Sequence, residues 1–191
     1  MELNFTTKTD FQVFKDYWMF CLFEKKGTGK KMNSFAKFVM VLCILIGIAL
    51  ALVIVNLVVM DGAMGVIPYI LLVAVAAAFI SCYITVTKTQ PKRQYKTVKE
   101  AVENPQKYTF APEQMEVREW DEEEKRDTFV AYRYGDLLYA YETAKAFYLF
   151  ISDINAFLIP RDQLDAKTQE NLAAFLREKM GDRFLKSKKC A

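Results

Sequence analysis

Two long uncharged runs in the first half of the chain constrain its fold more than any other feature. Residues 38–60 read FVMVLCILIGIALALVIVNLVVM, and residues 62–87 read GAMGVIPYILLVAVAAAFISCYITVT. At about 1.5 Å per residue, the first run forms a helix of roughly 34 Å, long enough to cross the apolar core of a bilayer. Asp61-Gly62 between them is typical of a turn. The sequence therefore predicts a transmembrane hairpin, with helix 32–60 followed by the turn and second helix at 61–88.

Basic residues flank this hairpin on both sides, whereas the turn carries one aspartate and no lysine or arginine. The preceding residues are Lys25, Lys26, Lys30, Lys31 and Lys37, and the following ones are Lys88, Lys92, Arg93, Lys96 and Lys99. Positive charge in short loops favours the cytoplasmic side. We therefore expect a multi-pass protein of the cell membrane with both termini in the cytoplasm. The first run begins too deep in the chain for a cleaved signal peptide.

Small residues recur at intervals of four in both apolar runs, namely Gly47 and Ala51 in the first and Ala74 and Ala78 in the second. Such pairs let two helix backbones approach closely. They predict packing between the two helices of the hairpin, with dimerisation as the alternative. Neither run contains an ionisable side chain of the kind that ion pathways use, so a pore or transporter subunit would require an oligomer.

The titratable residues give no indication of catalysis or metal binding. Histidine, the commonest general base and metal ligand, is absent. The cysteines Cys21, Cys43, Cys82 and Cys190 do not have the spacing of a zinc site or a disulfide scaffold. The acidic run at 121–124 lacks the spacing of a calcium loop and is typical of a solvated hairpin tip. We therefore expect no enzymatic activity, no cofactor and no metal.

The segment before the hairpin, residues 1–31, combines a short strand with a helix. Residues 2–7, ELNFTT, have the composition of a strand, and Thr9 with Gln12 matches a capping box that would begin a helix. The apolar residues that follow lie near one helical face. Two interpretations remain open: an amphipathic helix in the membrane interface, or a helix packed on the soluble domain.

A basic segment at 89–106 follows the hairpin, and its pattern is compatible with a helix that ends at Asn104-Pro105. Residues 88–107 carry six basic and two acidic residues, a net charge of +4. Each Lys or Arg near an anionic bilayer contributes about 1 kcal/mol of attraction. Lys88, Lys92, Arg93, Lys96 and Lys99 are therefore candidate membrane-surface residues with anionic lipid headgroups as possible ligands.

Residues 107–191 have the pattern of a small β-rich domain closed by a helix. Six short apolar segments, separated by tight turns, predict strands at 108–110, 115–120, 128–134, 137–143, 146–152 and 155–159. An apolar stripe around Leu172 and Leu176 predicts the closing helix, with Asp162 or Asp165 at its start and Gly181 at its end. We expect the basic tail FLKSKKCA to be frayed. Residues 2–7 could supply a seventh strand.

This order of strands and helix is that of a pleckstrin-homology-like (PH-like) barrel. The stretch YGDLLYAYETAKAFYLFISDINAFLIPRDQL, residues 134–164, together with the placement of the hairpin, resembles the YcxB-like family of bacterial membrane proteins. Gly135-Asp136-Leu137 is similar to the family's strand entry, with Tyr134 in place of tryptophan, and Ile159-Pro160-Arg161 to its strand exit. The resemblance implies two transmembrane helices followed by a PH-like domain. The predicted class is therefore an α+β membrane protein: an N-terminal helical hairpin, then a small antiparallel β-barrel with a C-terminal helix.

The charge of the predicted barrel favours a protein partner over a lipid headgroup. Residues 108–164 carry six basic and twelve acidic residues, a net charge of −6, which an anionic bilayer repels. Five tyrosines on neighbouring predicted strands form a candidate partner interface: Tyr132, Tyr134, Tyr139, Tyr141 and Tyr148. We expect a membrane-tethered interaction or regulatory module that does not bind nucleic acid. The alternatives are a lipid-surface sensor acting through the basic segment, and an oligomeric pore.

Overall fold

The computed structural model describes residues 2–25, 34–58, 65–121 and 126–187. The predicted turn at Asp61-Gly62, most of the acidic tip at 121–124 and three of the flanking lysines lie outside these residues. The chain forms two compact units: residues 19–93 make one, and residues 1–18 with 94–191 make the other. We call them the helical unit and the sheet unit.

Two long apolar helices dominate the helical unit. Helix α1 spans Phe11–Phe23, α2 spans Ser34–Val58 and α3 spans Ile67–Ile84; a π-helical segment, Thr85–Thr89, then leads into α4 at Gln90–Glu103. Within the described residues, 37–58 and 67–99 are long and apolar enough to cross a membrane. Most of their large apolar side chains are exposed, as they would be in contact with lipid. The length and apolarity predicted for the two helices are therefore confirmed.

Helices α2 and α3 pack along a seam with alternating spacings of four and three residues. On α2 the less exposed positions include Leu42, Ile46, Ala49, Val53 and Asn56, and on α3 they include Pro68, Leu72, Val75, Phe79 and Cys82. This spacing is that of the a and d positions of a left-handed helix pair. Ala49, only 1% exposed, provides the small side chain at the seam.

The small residues predicted to pack the hairpin lie off this seam. Gly47, Ala51, Ala74 and Ala78 are all exposed. A Cβ atom added to Gly47 would meet nothing within 4 Å. The seam is formed mainly by larger side chains at alternating spacings of four and three. Gly47 and Ala51 fall between these positions, on the surface of α2 that faces away from α3. The structure therefore does not assign these four residues to packing within the hairpin.

A buried asparagine side chain links the two helices at the end of the hairpin where α2 stops and α3 begins. The Asn56 side chain is 1% exposed, and its Nδ2 donates a hydrogen bond to the Gly65 carbonyl at 3.2 Å. Gly65 has φ of +61°, a left-handed conformation that favours glycine. This bond joins the end of α2 to a residue just before α3. It also satisfies the buried amide, which would cost free energy if it had no hydrogen-bond partner.

The described residues of the sheet unit form two four-stranded sheets. The first has the order β1-β2-β3-β4 and is antiparallel throughout, with β1 at Leu3–Thr7, β2 at Gln106–Phe110, β3 at Gln114–Asp121 and β4 at Arg126–Arg133. The second has the order β7-β6-β5-β8, with β5 at Tyr139–Glu142, β6 at Ala146–Phe150, β7 at Ala156–Pro160 and β8 at Phe184–Lys186. Helix α5, Ala166–Met180, lies between β7 and β8 in the chain.

The strand predicted at residues 2–7 is observed as β1, which pairs with β2 from Leu3 opposite Phe110 to Thr7 opposite Gln106. The predicted fraying of the tail is wrong for Phe184–Lys186, because these residues pair in parallel with β5 and bury the Phe184 ring. Among the described strands, no ladder joins the two sheets into a closed barrel. The α+β class is confirmed, and the closed barrel is not part of the observed pairing.

The core of the sheet unit lies between the inner faces of the sheets and helix α5. Tyr108, Phe110, Met115, Phe147 and Leu176 are almost completely buried in it. The Phe110 and Phe175 rings meet edge to face, with centroids 6.1 Å apart. Asp165 begins α5, since its carboxylate accepts a hydrogen bond from the Thr168 amide at 2.9 Å, so the second of the two predicted caps is confirmed.

Both faces of strand β6 are buried, and the first half of α1 covers the outer one. Phe147 and Leu149 belong to the core, while the Tyr17 ring of α1 lies 5.4 Å from Tyr148 and 5.9 Å from Phe150. This contact favours the packed-helix interpretation for residues 11–18. The helix is capped by Asp10, which accepts from the Val13 amide, rather than by the predicted Thr9.

Candidate functional site

Strand β4 is one edge strand of the first sheet, and β1 is the other. It pairs with β3 along its whole length, from Asp121 opposite Arg126 to Gln114 opposite Arg133. No other described strand pairs with its outer edge. Such an edge presents unpaired backbone N–H and C=O groups to which another strand can add.

The middle of β4 is apolar on both faces. Phe129 is 64% exposed and Val130 is 50% exposed. Because consecutive strand residues point to opposite faces, these two side chains lie on opposite sides of the sheet. The Arg118 guanidinium of β3 lies over the Phe129 ring, 5.8 Å from its centroid. Soluble proteins usually protect an edge with charged residues or proline, so exposed apolar residues here mark β4 as a candidate interaction edge.

Aromatic contacts hold the C-terminal end of β4 against the core. The Tyr132 and Phe157 rings meet edge to face at 5.4 Å. The Tyr134 hydroxyl donates to the Ala111 carbonyl at 2.7 Å and also lies 3.0 Å from the Gln114 carbonyl. Burial raises the pKa of Tyr134, so the hydroxyl keeps its proton and remains a donor. These contacts fix the C-terminal end of β4, so its open edge belongs to a well-anchored strand.

An arginine holds the turn that follows β4. Arg183, just after α5, donates from its guanidinium to the backbone carbonyls of Tyr134, Gly135 and Leu137. A planar guanidinium can satisfy several carbonyls of one turn at once. The segment that resembles a YcxB-like strand entry is thus held in shape by an arginine in the turn that follows the closing helix.

The segment that resembles the strand exit carries a second arginine, Arg161, which joins β5, α5 and the end of β7. Its Nη1 lies 3.4 Å from Glu142 Oε1 and 3.1 Å from the Thr143 carbonyl, and its Nε donates to Gln169 Oε1 at 2.9 Å. Lys186 Nζ lies 3.1 Å from the other Glu142 oxygen. Glu142 is buried, so these cations offset the cost of removing its charge from water. The network explains Arg161 as a structural residue.

The structure does not bring the five predicted tyrosines together on one accessible surface. Tyr134, Tyr141 and Tyr148 are buried, and Tyr132 and Tyr139 are half-buried. Tyr148 faces Tyr17 of α1, whereas Tyr134 faces the core helix α5 through Phe175. Tyr132 packs on Phe157 and Tyr134 on Phe175, whereas Tyr148 is buried because α1 covers the outer face of β6.

Sequence reasoning missed Phe129 and Val130, although a signal was present. The stretch Phe129-Val130-Ala131 interrupts the alternation expected of a strand with one solvated face. Consecutive apolar residues in a strand indicate that both faces are covered, either by the fold or by a partner.

The predicted membrane-surface residues are accessible. Lys88, Lys92, Arg93, Lys96 and Lys99 are all exposed. Lys92, Lys96 and Lys99 share one face of α4 by their helical spacing, and the Tyr95 side chain is buried against Phe11 and Phe14 of α1. Lys92 and Lys96 are exposed on this face, whereas the Lys99 ammonium also lies 3.8 Å from a Glu103 carboxylate oxygen, which offsets part of its charge.

One part of the chain is similar to a known protein family. The model of the YcxB-like protein family matches residues 123–177. The matched residues include β4, β5, β6, β7 and most of α5. They also include the turn after β4 and Arg161, but they end before Arg183. The resemblance predicted from the sequence is confirmed for this segment. No curated protein and no solved structure matched the chain.

Proposed function

We propose that the chain is a membrane-anchored, non-enzymatic interaction module whose sheet unit binds an extended segment of a protein partner along strand β4. The observation that carries the proposal is the apolar edge at Phe129 and Val130. The unit is PH-like in this proposal, with two stacked antiparallel-rich sheets and a closing helix as its support.

Membrane anchoring is supported by the fact that the segments before and after the two apolar helices fold into the same unit. Residues 1–18 and 94–191 fold together, and the two apolar helices lie between these segments in the sequence. An insertion that crosses a membrane twice leaves both flanking segments on the same side. The lysines on both flanks favour the cytoplasmic side of a cell membrane.

The chemistry of the edge defines the partner. An added strand would form main-chain hydrogen bonds with β4, and alternate side chains would pack on Phe129 and Val130. The partner segment is therefore extended and apolar on both faces.

The proposal is tested by crosslinking the full chain in native membranes, purifying it and identifying the bound proteins by mass spectrometry. Phe129→Lys places a charge in the middle of the edge, and Ile154→Lys makes the same change in polarity at a side chain 78% exposed in the turn between β6 and β7. We expect a protein recovered with wild-type and Ile154→Lys that is lost with Phe129→Lys. Equal recovery with all three, at equal thermal stability, would refute the edge as the binding site.

A second candidate function, contact with anionic lipid through α4, is favoured by the shared exposure of Lys92, Lys96 and Lys99. The full chain in nanodiscs would show hydrogen-exchange protection of residues 90–103 that rises when phosphatidylglycerol replaces part of the phosphatidylcholine. Replacing the three lysines by glutamine would remove that rise. Protection independent of lipid charge would contradict this role.

A further inference from the structure

The helical unit contains an apolar pocket of about 120 Å³ at one end of the hairpin. Its lining comes from three helices and includes Phe23, Phe38, Leu42, Phe79, Cys82 and Tyr83. Apart from the Cys82 thiol and the Tyr83 hydroxyl, these side chains offer no polar group. Water in such a pocket would lack the two to four polar partners that an ordered molecule requires.

The position of the pocket along the hairpin points to a lipid. Phe38 lies near the start of α2 and Tyr83 near the end of α3. The pocket therefore opens where the uncharged runs meet the basic flanks. Lys37 directly precedes Phe38, and Lys88 follows Tyr83 by five residues, about 7 Å along a helix axis.

The end of the hairpin that contains the apolar pocket also carries positively charged side chains. The side chains of Lys37 and Lys88 are both exposed. An amphipathic anion with a hydrocarbon chain would satisfy both features, because the chain would fill the pocket while the phosphate lies beside the ammonium groups. A zwitterionic lipid would fill the pocket equally but would gain less from the lysines.

We propose that this pocket binds one acyl chain of an anionic membrane phospholipid, with Lys37 and Lys88 beside its phosphate. The site is separate from the β4 edge, and it rests on the membrane anchoring in the proposed function. It would make the helical unit selective for lipid charge, a property that the protein-docking role does not require.

The test uses the full chain in nanodiscs that contain a phospholipid with a photoreactive diazirine in its acyl chain, as either the phosphatidylglycerol or the phosphatidylcholine form. After irradiation, peptide mass spectrometry locates the adducts. We expect adducts concentrated at residues 38–42 and 79–83, several-fold more abundant with phosphatidylglycerol. Lys37→Gln combined with Lys88→Gln would reduce the adducts to the phosphatidylcholine level.

Two cysteines provide a matched pair for the pocket itself. Cys82 lines it, whereas Cys43 is exposed on α2 outside it. Cys82→Trp would fill the pocket and reduce adducts at 38–42 by several-fold, while Cys43→Trp would leave them unchanged. A reduction of equal size in both variants would overturn the site, and so would adducts spread evenly along both helices or independent of headgroup.

Carbonate extraction of native membranes separates this inference from the anchoring on which it rests. A chain that stays in the membrane but shows no preferential labelling of the pocket overturns the lipid site alone. A chain released by carbonate overturns the anchoring, and the lipid site with it. Retention together with headgroup-selective labelling supports both.

Discussion

The Tyr17 hydroxyl donates a hydrogen bond to the backbone carbonyl of Ile154, 2.8 Å away. Tyr17 comes before the two apolar helices in the sequence, and Ile154 lies in the turn between β6 and β7. The ion pair between Asp16 and Lys145, also 2.8 Å, joins the same two parts of the chain. The segment before the hairpin is therefore part of the sheet unit, and the hairpin is an insertion within that unit.

Tyr17→Phe should weaken the docking of α1 while keeping its ring against Tyr148. Loss of one hydrogen bond from a partly buried hydroxyl costs about 1 kcal/mol. We expect faster hydrogen exchange for residues 11–18 and a corresponding fall in the free energy of unfolding in detergent. Tyr139→Phe, at a half-buried tyrosine of the second sheet, is the control and should leave exchange in α1 unchanged. Unaltered exchange in Tyr17→Phe would contradict docking through this bond.

Tyr134→Phe should destabilise the sheet unit through the turn between β2 and β3. The hydroxyl lies within hydrogen-bond distance of the Ala111 and Gln114 carbonyls, and the ring packs on Phe175. Since the ring is retained, the loss is confined to the hydroxyl and amounts to roughly 1–2 kcal/mol. Denaturant unfolding compared with Tyr132→Phe, at a half-buried neighbour, measures it. Equal stabilities would show that this hydroxyl does not hold the turn.

The cap of α5 makes part of the stability depend on pH. Hydrogen bonds from the Thr168 hydroxyl and amide hold the pKa of Asp165 below its usual value. A carboxyl with a lowered pKa in the folded state stabilises the fold above its unfolded pKa, near 3.9. That stabilisation is lost as the pH falls through the folded pKa. Asp165→Asn should therefore flatten the acid limb of the stability curve.

Asp162→Asn is the matched control for the cap, because Asp162 is an exposed aspartate just before the helix. Thermal melts between pH 7 and about pH 2 distinguish the two variants. The prediction fails if Asp162→Asn flattens the curve as much as Asp165→Asn.

The seam between α2 and α3 predicts opposite responses at two small residues. Ala49 is buried at the seam, whereas Gly47 is exposed with open space around its Cβ position. Ala49→Leu should overpack the seam and destabilise the hairpin by about 1–3 kcal/mol. Gly47→Leu should have a much smaller effect, or even stabilise the helix through its higher propensity. A larger loss for Gly47→Leu in detergent unfolding would contradict the observed packing.

The features that sequence reasoning predicted well depend on local pattern. Uncharged length alone defined the two apolar helices, and the strand composition of Leu3–Thr7 was enough to anticipate β1. Asp165 was anticipated as one of two possible caps because short polar side chains favour that position. Each of these signals acts over a few residues or over one helix.

The features that were missed depend on contacts between distant segments. Small residues at intervals of four suggested a helix interface, but larger side chains set the seam and turned Gly47 away from it. Apolar residues on both faces of β6 could not reveal that α1 covers one of them. The basic tail concealed β8, whose pairing with β5 is parallel and follows an intervening helix. The β4 edge is open because no other described strand pairs with it, and the sequence of β4 alone does not encode that absence.

The most direct measurement is site-specific photocrosslinking of the full chain in its native membrane, with benzoylphenylalanine replacing Phe129 in one sample and Ile154 in the other. Both side chains are exposed, so reactivity alone cannot favour either position. Docking at β4 predicts a discrete, light-dependent adduct with another protein at position 129 and none of that mass at position 154. An absent adduct at 129, or the same adduct from both positions, would contradict it.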